Sequence, residues 1–441
     1  MAQEPKILVR VIGRWSLAAL MLNTVIGASV FGLPSLLAAR LGKFSPLGYV
    51  VTAIGIGAVA VCLAEVGSQF REAGGPYLYA KVAFGSFAAI QIGWLTWLTR
   101  IVAAAAAADL FVSYLARFVP GAENWMPRAM VLALLIGSLA AANYFGVTTG
   151  ARVSNLFTIV KLLVIGLFVV AGLLALWLYP AIRAVPATVS ATKTDWYEAI
   201  LLMINSFGGF EAALFLSGET RDPRRDAPIS LFIALTAVTV LYAAVQWIVI
   251  YTLPDAAAAA TPVSEAAQRF LGPVGAWIIA MGALISVYGY LSANLLHTPR
   301  LTFAMGEQRD FPRVFAAIHP RFRTPYVSIA SFAVLLFVFA IAGSFAWNAI
   351  LSAVSRLFIY ASVAAAVPVL RKKRPNAAAF RVPGAMFFVA IVLVATGVLA
   401  TRIPRRGVEI LLVTMAIASV NWFWSMRSAK AGTGYASAED R

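Results

Sequence analysis

The chain has 441 residues, 61% of them hydrophobic and only 12% charged, where a soluble domain averages about 25% charged. That balance excludes an ordinary soluble enzyme and describes a polytopic protein whose first partner is the lipid bilayer. The formal charge of +17 would raise nucleic acid as a partner on a soluble chain. No basic helix face with interleaved aromatics is present, so nucleic acid is excluded and the positive charge is assigned to orientation in the membrane.

A bilayer core takes about 20 apolar residues per helix. By that rule the chain is all-α with twelve spans, at roughly 15–41, 46–68, 86–115, 128–147, 155–178, 196–218, 229–252, 273–297, 326–342, 346–369, 384–401 and 407–425. The longer connections are 69–85, 179–195, 253–272 and 298–325. With the N-terminus in the cytoplasm, 23 Lys and Arg fall on the cytoplasmic side and 10 on the other, with Arg100 and Arg356 inside spans. This bias predicts a multi-pass protein of the cell membrane with segments 1–14 and 426–441 both cytoplasmic. "RIPRR" (402–406) runs against the bias.

Spans 1 and 6 differ from the rest. Span 1 contains "NTVIGASVFGLP" (23–34) and span 6 contains "NSFGGFEAALFLSG" (205–218). Each places glycine and small polar residues at mid-membrane, and each opens a set of five spans, 15–178 and 196–369, leaving 384–425 as two extra helices. Small residues also serve close helix packing. Their matching positions in two halves instead predict an inverted repeat with broken first helices around a central site. A break exposes backbone groups that lipid cannot satisfy. Free N–H groups at a helix start attract anions, and free carbonyls attract cations. A ligand carrying a carboxylate and an ammonium answers both. The carboxylate is expected at Gly27, Ala28 and Ser29, and the ammonium at carbonyls near Ile26, Ser206 and Phe207. Asn205 and Gly208 belong to the same segment, and Phe207 or Phe210 is expected to close over the ligand.

Polar residues elsewhere are few. Lys161 lies in "FTIVKLLVIG" of span 5. It either snorkels to the inner interface or stands as a fixed ammonium, and a buried lysine changes its proton affinity readily enough to carry a transported proton. Arg100 and Asp109, nine residues apart, fall on opposite faces of span 3 and are not each other's partners. Arg356 serves an outer gate or pairs with a carboxylate such as Asp109. Glu211 either holds the unwound segment of span 6 or meets a cationic substrate. Glu65 and Glu219 are expected to form an inner ion-pair network with Arg221, Arg224 and Arg225. Of Tyr288 and Tyr290 only one can face the site. His297 and His319 cannot build a zinc site alone, Cys62 has no disulfide partner, and no phosphate-binding G-x-x-x-x-G-K-[ST] loop is present. No cofactor, metal or catalytic group is therefore expected. "MAQEPKILVRVIGR" lacks a cleavage site and is not expected to be a signal peptide.

These stretches also carry a resemblance. "VIGASVFGLP", "AEVGSQFREAGGPYLYAKVAFG" (64–85), "FGGFEAALFLSGETRDPRRDAPIS", "TPRLTFAMGEQRDFPRVFAAIHPRFRTPYVSI" and "VLRKKRPNAAAFRVPG" resemble, in order, five segments of amino-acid permeases of the amino acid–polyamine–organocation (APC) superfamily. The resemblance implies a LeuT-type fold of two inverted five-helix repeats, alternating access, and an amino acid or related amine as substrate. It also implies a lysine at the Lys161 position, standing where related carriers hold sodium. Asn205 departs from the pattern, because many relatives place a gating aromatic there. "RIVAAAAAADL" of span 3 is a second departure, and the substrate side chain stays open. A channel or receptor is the alternative class, but a channel favours a continuous polar lining. A proton-coupled carrier and a sodium-independent exchanger are the two carrier readings.

Overall fold

The computed structural model describes residues 14–70, 75–146, 151–187, 189–210, 223–375 and 380–436. Helices dominate, and among the described residues there is no strand. In hydrocarbon every backbone N–H and C=O needs an internal partner, which a helix supplies within one segment. Among the described residues fourteen α-helices follow in chain order: α1 (Arg14–Val25), α2 (Ser29–Leu41), α3 (Ser45–Gly67), α4 (Gly75–Phe84), α5 (Ser86–Leu115), α6 (Trp125–Tyr144), α7 (Ala151–Leu178), α8 (Lys193–Ser206), α9 (Pro223–Thr252), α10 (Pro262–Glu307), α11 (Tyr326–Ala342), α12 (Phe345–Lys373), α13 (Ala385–Ala400) and α14 (Arg405–Ala436).

Among the described residues, eight helical stretches have the length and apolarity to cross a membrane, and α11 and α13 are shorter apolar helices. The count differs from twelve for local reasons. The first expected span is two short helices, α1 and α2, separated at Ile26–Ala28. α8 begins with a capping box, Thr192 and Asp195 exchanging side-chain and backbone bonds, and stops after 14 residues at Ser206. Two expected connections contain helix. α4 occupies most of 69–85, and the first ten residues of α10 occupy 262–271. α4 is too short to register as a span, and the α10 segment is counted within the single stretch Pro262–Glu307, as α2 and α3 are within Ser29–Gly67. α10 bends at Gly272 (φ +70°), where Pro273 follows and withholds an N–H from the turn.

α5 and α12 form the centre. Ala103 to Ala108 are all buried on α5, and small side chains let α12, α10 and α11 approach closely. The outward faces of α6, α7, α9 and α14 expose Leu134, Trp177, Val240 and Leu412. Apolar surface on that scale belongs in lipid. The chain is therefore a multi-pass membrane protein.

Charged ties close the helix ends. Glu65, fully buried at the end of α3, accepts from Arg371 of α12 at 2.5 and 2.8 Å and from the backbone of Val382 at 3.1 Å. Its partner is thus an arginine far along the chain. Glu219 and Arg221, expected in the same network, lie outside the described residues. Asp310, after α10, pairs with Lys81 of α4 at 2.5 Å and also accepts from the Tyr77 hydroxyl.

Candidate functional site

The break between α1 and α2 meets the end of α8; residues 211–218, the rest of the second expected break, lie outside the described residues. Gly209 has φ +114° and lies against α1 so closely that a Cβ there would stand 2.6 Å from the Thr24 carbonyl oxygen. Only glycine adopts that backbone without strain and permits that approach. Asn205 Nδ2 donates to Ser29 Oγ at 3.3 Å, tying α8 to the first residue of α2. The Tyr242 hydroxyl of α9 donates to the carbonyls of Val25 at 3.1 Å and Ser206 at 3.4 Å, so one phenol serves the ends of both α1 and α8.

Between the breaks lies a cavity of about 30 Å³. Of the residues expected to bind a ligand, Gly27, Ala28, Ser29, Asn205 and Gly208 line it. Ala28 is the N-cap of α2 and provides no side-chain hydrogen bond. The leading N–H groups of α2 therefore depend on something other than a cap.

Four expected residues lie off the lining. The Ile26 carbonyl accepts from Lys161. The Ser206 carbonyl accepts from Tyr242, and its hydroxyl donates back to Met203 O at 2.6 Å. The Phe207 ring packs between Tyr49 and Tyr242, with centroids 6.3 and 6.0 Å away. The Phe210 ring packs on Tyr360 at 5.9 Å. Neither phenylalanine closes over the cavity in this conformation, because each fills a hydrophobic gap behind the break. Tyr290 and Phe345 supply the aromatic lining instead. Tyr288 turns to Phe157, with centroids 5.7 Å apart.

Lys161 stands beside the first break. It is buried, and its Nζ donates to Asn23 O, Asn23 Oδ1 and Ile26 O, each at 2.7 Å. Snorkelling to the interface is therefore not its conformation. Three oxygens use all three N–H bonds of an ammonium, and they stand at the carbonyl end of α1, where a cation is favoured.

The charges that sequence left unplaced resolve in part. Asp109 does not meet Arg356. Its carboxylate accepts from Arg128 Nη2 at 2.7 Å and from the backbone N of Phe345, the first residue of α12, at 2.7 Å. Arg128 also donates to Ala340 O at 2.8 Å and Gly343 O at 3.0 Å, at the end of α11. Asp109 thus fastens helix termini and lies off the cavity. Arg100 and Arg356 do line it. Gly208 makes room for Arg356, since a Cβ there would lie 2.3 Å from the guanidinium carbon. Glu211 lies outside the described residues.

The profile of the amino acid permease family matches residues 12–420. The methylthioribose transporter of Bacillus subtilis is 28% identical over 421 residues, covering 90% of this chain and 88% of the relative. The serine/threonine exchanger of the same organism is 27% identical over 319 residues, covering 70% and 72%. Its branched-chain amino acid permease is 26% identical over 398 residues, covering 86% and 85%. These relatives are transporters, not enzymes. A match that spans the break, the cavity and the inner ties alike shows that the chain belongs to the amino acid permease family, within the APC superfamily.

Proposed function

We propose that this protein is a secondary carrier that moves an amino acid or a related amine across the cell membrane by alternating access, coupled to protons. The observation that carries this reading is the cavity between the α1–α2 break and the end of α8, with a lysine ammonium on the carbonyl edge of that break. The uncapped start of α2 suits the substrate carboxylate, received by Gly27, Ala28 and Ser29. The substrate ammonium is assigned to carbonyls near Ile26, Ser206 and Phe207, which stand behind the lining in this conformation; the Ile26 and Ser206 carbonyls keep a second lone pair beside their bonds to Lys161 and Tyr242. The architecture we assign is twelve spans in a LeuT-type arrangement, with repeats at 15–178 and 196–369, extra helices at 384–425, and both termini cytoplasmic. The Arg and Lys bias and the helical pattern support it.

Lys161 links chemistry to movement. Loss of its proton removes one of three N–H donors, so at least one oxygen at Asn23 or Ile26 is left unsatisfied in a dry interior. Re-satisfying it requires α1 to shift against α7. Exchange is the second reading. The serine/threonine exchanger among the relatives favours it, as does the full set of acceptors around Lys161, which suits a permanently charged strut.

Purified protein in liposomes separates the two. Symport predicts proton entry driven by substrate, lost in Lys161→Ala. Exchange predicts substrate flux only against internal substrate, with no proton movement. Strict sodium dependence of wild-type uptake overturns both.

A further inference from the structure

We infer that the substrate is an amino acid whose side chain itself carries an anionic group, a carboxylate or a sulfonate, and that Arg100 reads that group. This rests on the carrier reading above and adds the class of side chain.

The charge balance of the cavity comes first. Its described lining brings in the guanidinium of Arg100 on α5, and Arg356, which has interactions of its own, is left out of the balance. A zwitterionic amino acid brings no net charge. Its carboxylate is spoken for by the start of α2, and its ammonium by carbonyls. A neutral side chain would then leave the Arg100 guanidinium facing the ligand with no counter-charge among the described residues. At mid-membrane depth such a cation is costly and calls for a counter-charge or water. A second anion on the ligand provides the counter-charge.

The geometry of α5 selects Arg100. Ala103, Ala106 and Ala107 lie three, six and seven residues beyond it and also line the cavity, so the four share one helix face. Methyl-sized side chains leave the space between Arg100 and the start of α2 unfilled. The guanidinium of Arg100 makes no hydrogen bond or ion pair with any described residue. The acid further along the same helix, Asp109, is committed to Arg128 and to the start of α12. A planar fork of N–H donors is matched bidentately by carboxylate or sulfonate oxygens. Arg356 forms the opposite wall, laid flat over Gly208. Any lengthening of residue 208 would push this wall inward.

A competing assignment gives Arg100 the backbone carboxylate of the substrate. That assignment predicts no preference between an acid and its amide. The experiment measures binding of aspartate, glutamate and cysteate to the purified full chain by thermal shift and by counterflow in liposomes. Asparagine, glutamine, leucine and lysine are run beside them. Aspartate, glutamate or cysteate is expected to bind at least tenfold more tightly than the matching amide. Arg100→Ala is expected to erase that ratio, and Arg100→Lys to restore part of it. If Arg100→Ala fails to fold, the wild-type ratio of acid to amide decides alone. Amides binding as well as acids, or leucine or lysine binding best, overturns the anionic class and leaves the carrier reading standing. An acid preference untouched in folded Arg100→Ala overturns the role of Arg100. Binding of no amino acid at all overturns this inference and the amino-acid half of the carrier reading, leaving only a related amine as its substrate.

Discussion

Lys161 Nζ lies 2.7 Å from the carbonyl oxygen of Ile26, across 135 residues of sequence. The contact joins α7 to the point where α1 gives way to α2. A helix that stops in hydrocarbon leaves carbonyls that must find donors, and one ammonium answers two carbonyls and the Asn23 side chain together. The break is thus a defined structure with its own cap, supplied from another helix.

Removing that cap tests its weight. Lys161→Met keeps most of the side-chain volume and strips the donors from three oxygens, with an expected loss of roughly 3 kcal/mol at the upper end for unsatisfied buried groups. The measurement is thermal unfolding in detergent. A variant as stable as wild type would show that α1 is held by other contacts.

The glycines of the two breaks are not equivalent. Gly209→Ala meets both a positive φ and the Thr24 carbonyl at 2.6 Å, and strain of that kind costs about 1–3 kcal/mol. At Gly27 an added Cβ meets the Tyr290 ring at 3.5 Å and the Val25 carbonyl oxygen at 3.9 Å, both ordinary contacts. Gly27→Ala should fold and bind normally. Gly27→Val should express yet lose substrate binding, because a β-branched residue crowds the start of α2. Ligand-dependent thermal shift across the three variants reads the order, and normal binding by Gly27→Val would remove this segment from the site.

Asn205 bonds to Ser29 and lines a cavity of about 30 Å³. Asn205→Phe inserts a ring where space is short, and overpacking of that order costs about 1–3 kcal/mol. The expected result is binding weakened by about tenfold, the equivalent of 1.4 kcal/mol, with slower turnover. An unchanged substrate profile in uptake assays would mean that residue 205 turns away from the ligand.

The Asp109–Arg128 pair should be structural. A double-mutant cycle with Asp109→Asn and Arg128→Gln is expected to give a coupling energy within the usual range of about 0.5–3 kcal/mol. Substrate preference should be unchanged in every corner of the cycle, since neither residue lines the cavity. A shift in preference would place the pair in the transport pathway instead.

The first break was readable because glycine and small polar residues in an apolar run have few other uses, and α5 begins and ends at the residues the apolar run specifies. α4 was not readable, since ten residues with a lysine carry no span signal. Side-chain direction was the second limit. Phe207 and Phe210 sit in the right segment, yet a turn carries their rings to Tyr49, Tyr242 and Tyr360. Pairing across the chain was the third. Arg128 finds Asp109 over 19 residues and Arg371 finds Glu65 over 306, and no local pattern encodes either. Arg100 and Arg356 were visible as charges inside spans, but only packing brings both to one cavity.

The Glu65–Arg371 bond also sets a schedule for biogenesis. The carboxylate on α3 is fully buried in the finished fold, and its arginine is 306 residues further along the chain. At about 5–20 residues per second of synthesis, roughly 15–60 seconds separate the two residues leaving the ribosome. Through that interval α3 carries an unmatched acid at the end of an apolar helix. It must keep that end in contact with water or with the insertion machinery until α12 arrives. Loss of Arg371 would therefore harm assembly as well as stability. Arrested chains ending before α12 should leave Cys62, one turn from Glu65, open to a thiol reagent that the mature fold shuts out.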